Sequence, residues 1–120
     1  MKYFFDSYAI IEIINQNKNY NRFTEFTLIT NTLHLAEVYY FLLRTHNEKT
    51  ADYWIRNLLF TFMHIPHKIS IKASKFRYKY KKKKLSYADC IGYVTALENN
   101  LVFLTGDSKF KNKDNVEFVK

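Results

Sequence analysis

Acids are the residues of this chain whose types and positions could do chemistry, and four of them stand out. Asp6 ends the run Lys2-Tyr3-Phe4-Phe5, and Glu37 interrupts the apolar stretch Leu33-His34-Leu35-Ala36-Glu37-Val38-Tyr39-Tyr40-Phe41. Asp89 lies in Leu85-Ser86-Tyr87-Ala88-Asp89-Cys90, and Asp107 in Leu104-Thr105-Gly106-Asp107-Ser108-Lys109-Phe110. Each also has a purely structural use. Asp6 can cap a helix, Asp89 stands where Ser86 would begin a capping box, and Asp107 fits an ordinary Gly-Asp turn. Glu37 either sits buried, where a carboxylate must be paired, protonated or metal-bound, or lies on a solvated stripe near His34 and Arg44.

An oxygen-only donor set is what hard cations such as Mg²⁺ or Mn²⁺ prefer, whereas zinc favours Cys and His. The only cysteine is Cys90, so neither a disulfide nor a thiolate cluster is available. His64 and His67 flank Pro66 without further partners, and His34 and His46 read as equally isolated. Only Gly92 and Gly106 are glycines, and neither opens a phosphate-binding loop or a nucleophile elbow. Gly92 falls inside a helical pattern, where glycine costs stability, so something is expected to pack closely against it.

The elements that must position these acids alternate. Apolar runs at 2–5, 27–30, 62–65, 101–104 and 116–119 read as strands, and periodic segments at 8–15, 33–46, 48–60, 69–80 and 87–99 as helices. An Asn-rich polar loop joins the first helix to the second strand, Asp52 and Arg56 are spaced for an i,i+4 ion pair, and the lysines of 78–84 continue a helical pattern. Such alternation predicts one α/β domain over residues 1–120, a three-layer α/β/α sandwich around a parallel sheet of about five strands. Sites in such sheets gather beyond the carboxyl ends of strands. Asp6 and Asp107 stand there.

The order of elements and motifs resembles the PIN domain, particularly small archaeal and bacterial members of the VapC type. The resemblance rests on Asp6-Ser7, Leu35-Ala36-Glu37-Val38, Leu85-Ser86-Tyr87-Ala88-Asp89-Cys90 and Leu104-Thr105-Gly106-Asp107-Ser108-Lys109-Phe110, and covers the whole chain. It implies a metal-dependent endoribonuclease, with Asp6, Glu37, Asp89 and Asp107 at one cleft holding Mg²⁺ or Mn²⁺. It implies too that Thr105 and Ser7 support those acids by hydrogen bonds. Relatives are commonly homodimers, and a toxin would have a small VapB-like antitoxin. This chain is short for that group, with a brief link before its second strand. A non-catalytic PIN-like module that binds RNA or protein is the alternative.

Charge fits the expectation of a nucleic-acid partner. The net charge is +8, and Lys72, Lys75, Arg77, Lys79 and Lys81 to Lys84 lie in one stretch. Lys79, Lys81, Lys82, Lys83, Lys84 and Lys109 are therefore candidate RNA phosphate contacts, although such a run is also a common solubilising surface. A phospho-accepting receiver domain would need an acceptor Asp where His64-Ile65-Pro66 stands. No run approaches the roughly 20 apolar residues of a membrane span, and the N-terminal apolar stretch is too short for a signal peptide. A cytoplasmic protein is expected.

Overall fold

The computed structural model describes residues 2–120. Its strands are β1 (Tyr3–Phe5), β2 (Leu28–Thr30), β3 (Phe60–Phe62), β4 (Val102–Thr105) and β5 (Val116–Phe118). The helices are α1 (Ser7–Ile14), α2 (Thr32–Thr45), α3 (Glu48–Asn57), α4 (His67–Lys79) and α5 (Tyr87–Glu98). The strands form one parallel sheet in the order β3-β2-β1-β4-β5, as the alternation of elements predicts.

Side chains alternate across each strand, and this divides the core in two. Tyr3, Phe5, Leu28 and Leu104 face one side and pack with Ala9, Ile10 and Ile14 of α1, Val38 and Leu42 of α2, and Ala51 of α3. Phe4, Ile29 and Phe103 face the other, against Ile69 and Ala73 of α4 and Cys90, Tyr93 and Val94 of α5. Phe103 lies within 5.9 Å of the Phe4 ring and 4.9 Å of Phe110. Much of the aromatic content is therefore core.

Local chemistry starts the helices. Asp6, Asn31, Asn47 and Ser86 each accept a backbone N–H at the head of α1, α2, α3 and α5. Pro66 begins α4 by its fixed φ, with no side-chain cap.

Four local expectations are corrected. The Asn-rich loop contains a 3₁₀ turn, Lys18–Phe23, whose Tyr20 and Phe23 are buried. α3 stops at Asn57, so β3 lies two residues earlier than the pattern at 62–65. α4 ends at Lys79, and Lys81–Lys83 form a separate 3₁₀ turn closed by Lys84 at φ 55°. Asp52 accepts the Tyr39 hydroxyl at 2.6 Å rather than pairing with Arg56.

Candidate active site at the carboxyl edge of the sheet

Parallel pairing of β1 with β4 sets Phe5 level with Leu104, so the residues that follow each strand emerge side by side. Asp6 is buried there, at 3 % exposure, and caps α1 by accepting Ser7 N–H at 2.9 Å on Oδ1. Its Oδ2 accepts the Thr105 hydroxyl at 2.7 Å. The same Thr105 oxygen accepts Asp107 N–H at 3.0 Å. One buried hydroxyl thus joins the turns that carry two acids. Asp107 accepts Lys109 N–H on Oδ1 at 3.0 Å, capping the 3₁₀ turn Ser108–Phe110. Gly106 is required beside it, because a Cβ there would lie 2.3 Å from both Tyr8 Cε1 and Val119 O.

Glu37 reaches the edge from α2. Its Oε1 accepts the Ser7 hydroxyl at 2.5 Å, which ties the first turn of α1 to the second turn of α2. The side chain is exposed, as the solvated alternative has it, but His34 is buried and does not share that stripe, and the helix is not buried all round. Only His34, Val38 and Leu42 of α2 are buried.

Asp89 arrives from α5 within a complete capping box. Its Oδ2 accepts Ser86 N–H at 2.9 Å while its own N–H donates to Ser86 Oγ at 3.0 Å. Burial raises its pKa above the ordinary carboxylate value, and the charges of Asp6 and Asp107 raise it further against the Ser86 hydrogen bonds. Four separate segments therefore bring their acids to one sheet edge, and the charges of Asp6 and Asp107 both reach Asp89. Among the described residues, no three His, Cys, Asp or Glu side chains stand close enough to share one ion as they are oriented.

His34 belongs to this site and was missed by sequence reasoning. It is fully buried, with Nδ1 2.7 Å from Asn31 Oδ1 and Nε2 3.2 Å from Asp6 Oδ1. Asn31 Oδ1 can only accept, so Nδ1 donates to it. Nε2 is left without an aligned hydrogen-bond partner, buried against the acid. The ring explains Gly92, where a Cβ would lie 2.6 Å from His34 Cε1. The spacing of His34 with Val38 and Leu42, four residues at each step, was the signal that could have found it.

The basic candidates divide. Lys79 and Lys81 to Lys84 are exposed around the α4–α5 connection, which leads into the Asp89 turn, and Lys109 is exposed two residues after Asp107. Glu12 accepts from Asn17 Nδ2 at 3.1 Å, and its charge, like that of Asp107, acts on Tyr8.

A protein-family model described as the PIN domain matches residues 3–116. No curated protein matches the chain. Among solved structures, Mycobacterium tuberculosis VapC20, described as a Sarcin-Ricin loop cleaving toxin, superposes with a TM-score of 0.82 at 13 % identity, covering 99 % of this chain and 100 % of that one. VapBC2 from Rickettsia felis, bound to a DNA fragment from its promoter, gives 0.78 at 19 % identity with 100 % of both chains covered. A toxin-antitoxin complex from Klebsiella pneumoniae gives 0.76 at 19 % identity, over 97 % of this chain and 96 % of that one. At such identities these likenesses carry the fold, and they run over nearly the whole of each chain. With a family model spanning nearly all of its residues, the chain belongs to the PIN-domain family.

Proposed function

We propose that this protein is an endoribonuclease that hydrolyses RNA phosphodiester bonds using Mg²⁺ or Mn²⁺ held by Asp6, Asp89 and Asp107, with Glu37 contributing directly or through a water. The observation that carries this reading is the coupling of the acids. Burial raises the Asp89 pKa most, the charges of Asp6 and Asp107 add to it, and a cation bound there offsets both. The donors are all carboxylate oxygens, the type a hard ion takes, and side-chain rotation would have to bring them onto it. Asp89 Oδ1, Asp107 Oδ2 and Glu37 Oε2 accept no hydrogen bond among the described residues. The ion, when bound, would polarise the scissile phosphate and lower the pKa of a water.

The rest of the work falls to the chain. Thr105 fixes Asp6 and the Asp107 turn together, Ser7 orients Glu37, and Ser86 holds Asp89 through the capping box. An acidic edge repels a phosphate backbone, so flanking Lys81, Lys82, Lys83, Lys84, Lys79 and Lys109 are needed to draw RNA in. A small antitoxin that covers this edge and a second copy on α2 complete the proposed biology. No described helix is long and apolar enough to cross a membrane.

The test is incubation of RNA with the purified protein, with Mn²⁺ or with chelator. Cleavage that requires the metal and disappears in Asp89→Asn and Asp107→Asn supports the reading. RNA binding without products under any metal would overturn it in favour of a non-catalytic module.

A further inference from the structure

We infer that the cavity between α4 and the start of α5 is a subsite for single-stranded RNA, in which Tyr87 stacks an unpaired base while Arg77, Lys81 and Lys84 hold the adjoining phosphates. This rests on the nuclease reading and names how that site would take its substrate.

The cavity, of about 430 Å³, is lined by Arg77, Lys81 and Lys84, two tyrosines, Ser74 and Leu85, with no acid among them. Among the described residues none of the three cations has an ion-pair partner, since the pairs found involve Arg22, His34 and Lys72. Arg77 is locked in place. Its Nε donates to Leu85 O at 2.8 Å, and its guanidinium lies 4.4 Å from the centre of the Tyr87 ring. Tyr87 remains 56 % exposed, so an open surface stands beside a fixed cation. Tyr78, 73 % exposed, repeats the arrangement with the Lys81 ammonium 4.7 Å from its ring centre.

Lys84 adopts φ 55° and ψ 41°, a left-handed conformation uncommon for a residue with a side chain. It closes the 3₁₀ turn and contributes, with Lys81, to the cavity wall.

The choice of occupant follows from place and chemistry. Tyr87 is the first residue of α5, Ser86 its cap and Asp89 its third residue, so a strand crossing this turn meets both the cavity and the acidic edge. Fixed cations beside exposed aromatic rings suit alternating phosphates and unstacked bases. A paired duplex hides its bases, and an acidic peptide offers charge without a π-face.

The experiment uses the whole protein in chelator, so binding is read without cleavage. A labelled unstructured oligouridine is titrated by fluorescence anisotropy, with circular dichroism verifying each variant. Tyr87→Ala should weaken binding about tenfold or more, and Tyr87→Phe should bind as the parent does. Lys81→Ala with Lys84→Ala should weaken it and lower the slope of log K against log salt by about 1.4. Lys49→Ala, on α3, should do neither. As a measurement on the unaltered protein, 2-aminopurine placed along the strand should be quenched at one position on binding.

Tyr87→Ala binding like the parent, absent quenching, or polyglutamate competing as well as RNA would each overturn the subsite. If the parent binds with quenching yet never cleaves with Mn²⁺, the nuclease reading fails and the subsite stands.

Discussion

Thr105 and Gly92 carry the residue-scale logic of this site. The Thr105 hydroxyl donates to Asp6 Oδ2 and accepts from Asp107 N–H, both in buried or partly buried surroundings. Thr105→Val keeps the shape and removes both bonds, leaving Asp6 short of a donor. A loss of about 1–3 kcal/mol in urea unfolding is expected, and roughly 10–100-fold in metal affinity or cleavage, with Thr105→Ser restoring both. Gly92→Ala sets two effects against each other. Alanine gains up to about 1 kcal/mol in a helix, but its Cβ would lie 2.6 Å from His34 Cε1 and 3.1 Å from Phe103 Cε1. Both rings are fully buried, so overpacking at about 1–3 kcal/mol should win. In a His34→Ala background the same change should turn neutral or stabilising, which a double-mutant cycle by thermal unfolding would show. The close approach at Gly92 was legible in the sequence as a mid-helix glycine. Its partner was not, because His34 meets Asp6 and Gly92 only after distant segments pack, and a lone histidine on a polar reading looked isolated.

At the scale of elements, α5 places an acid where helix capping and cation binding use the same carboxylate. Asp89→Asn should keep the box, since an amide oxygen can still accept Ser86 N–H, while removing the charge that burial and Asp6 and Asp107 oppose. A carboxylate whose folded pKa is raised favours the folded state while protonated, and that contribution is lost as pH rises through the folded value. In chelator, Asp89→Asn should therefore melt above the parent near pH 7, with the gap closing as pH falls toward the ordinary carboxylate range. Mn²⁺ should shrink or reverse the gap at pH 7, because only the parent keeps the ligand. A gap independent of pH would show that Asp89 is uncoupled from its neighbours. The capping box itself was readable from Ser86 and Asp89 alone. Element boundaries were less so. Leu58-Leu59-Phe60 reads as more helix by composition, yet α3 ends before it and Phe60 already belongs to β3. The polar loop at 18–23 hid Tyr20 and Phe23 because a 3₁₀ turn buries two aromatics without helical periodicity.

Over the whole molecule, the surplus of apolar residues in α2 raises a question of what covers them. An apolar segment reads as buried, but only His34, Val38 and Leu42 are buried, with Tyr39 and Phe41 packed partly against the core. Tyr40 is 65 % exposed, and Leu33 and Leu43 are exposed beside it. Sequence pattern reports that side chains want cover and is silent on whether the cover comes from the same chain. Nearby, Leu35, Ala36 and Tyr39 of α2 and Ile55 of α3 line a shallow apolar depression, so the uncovered region extends over two helices. Contiguous apolar surface of this kind marks an interaction site more often than free surface, and the proposed second copy is the occupant to test. Light scattering on the parent should give twice the mass of one chain at micromolar concentration. Tyr40→Asp combined with Leu43→Asp should give one chain mass, with helix content and the Asp6 to Thr105 network intact. A parent that runs as a single chain at tens of micromolar would remove the dimer.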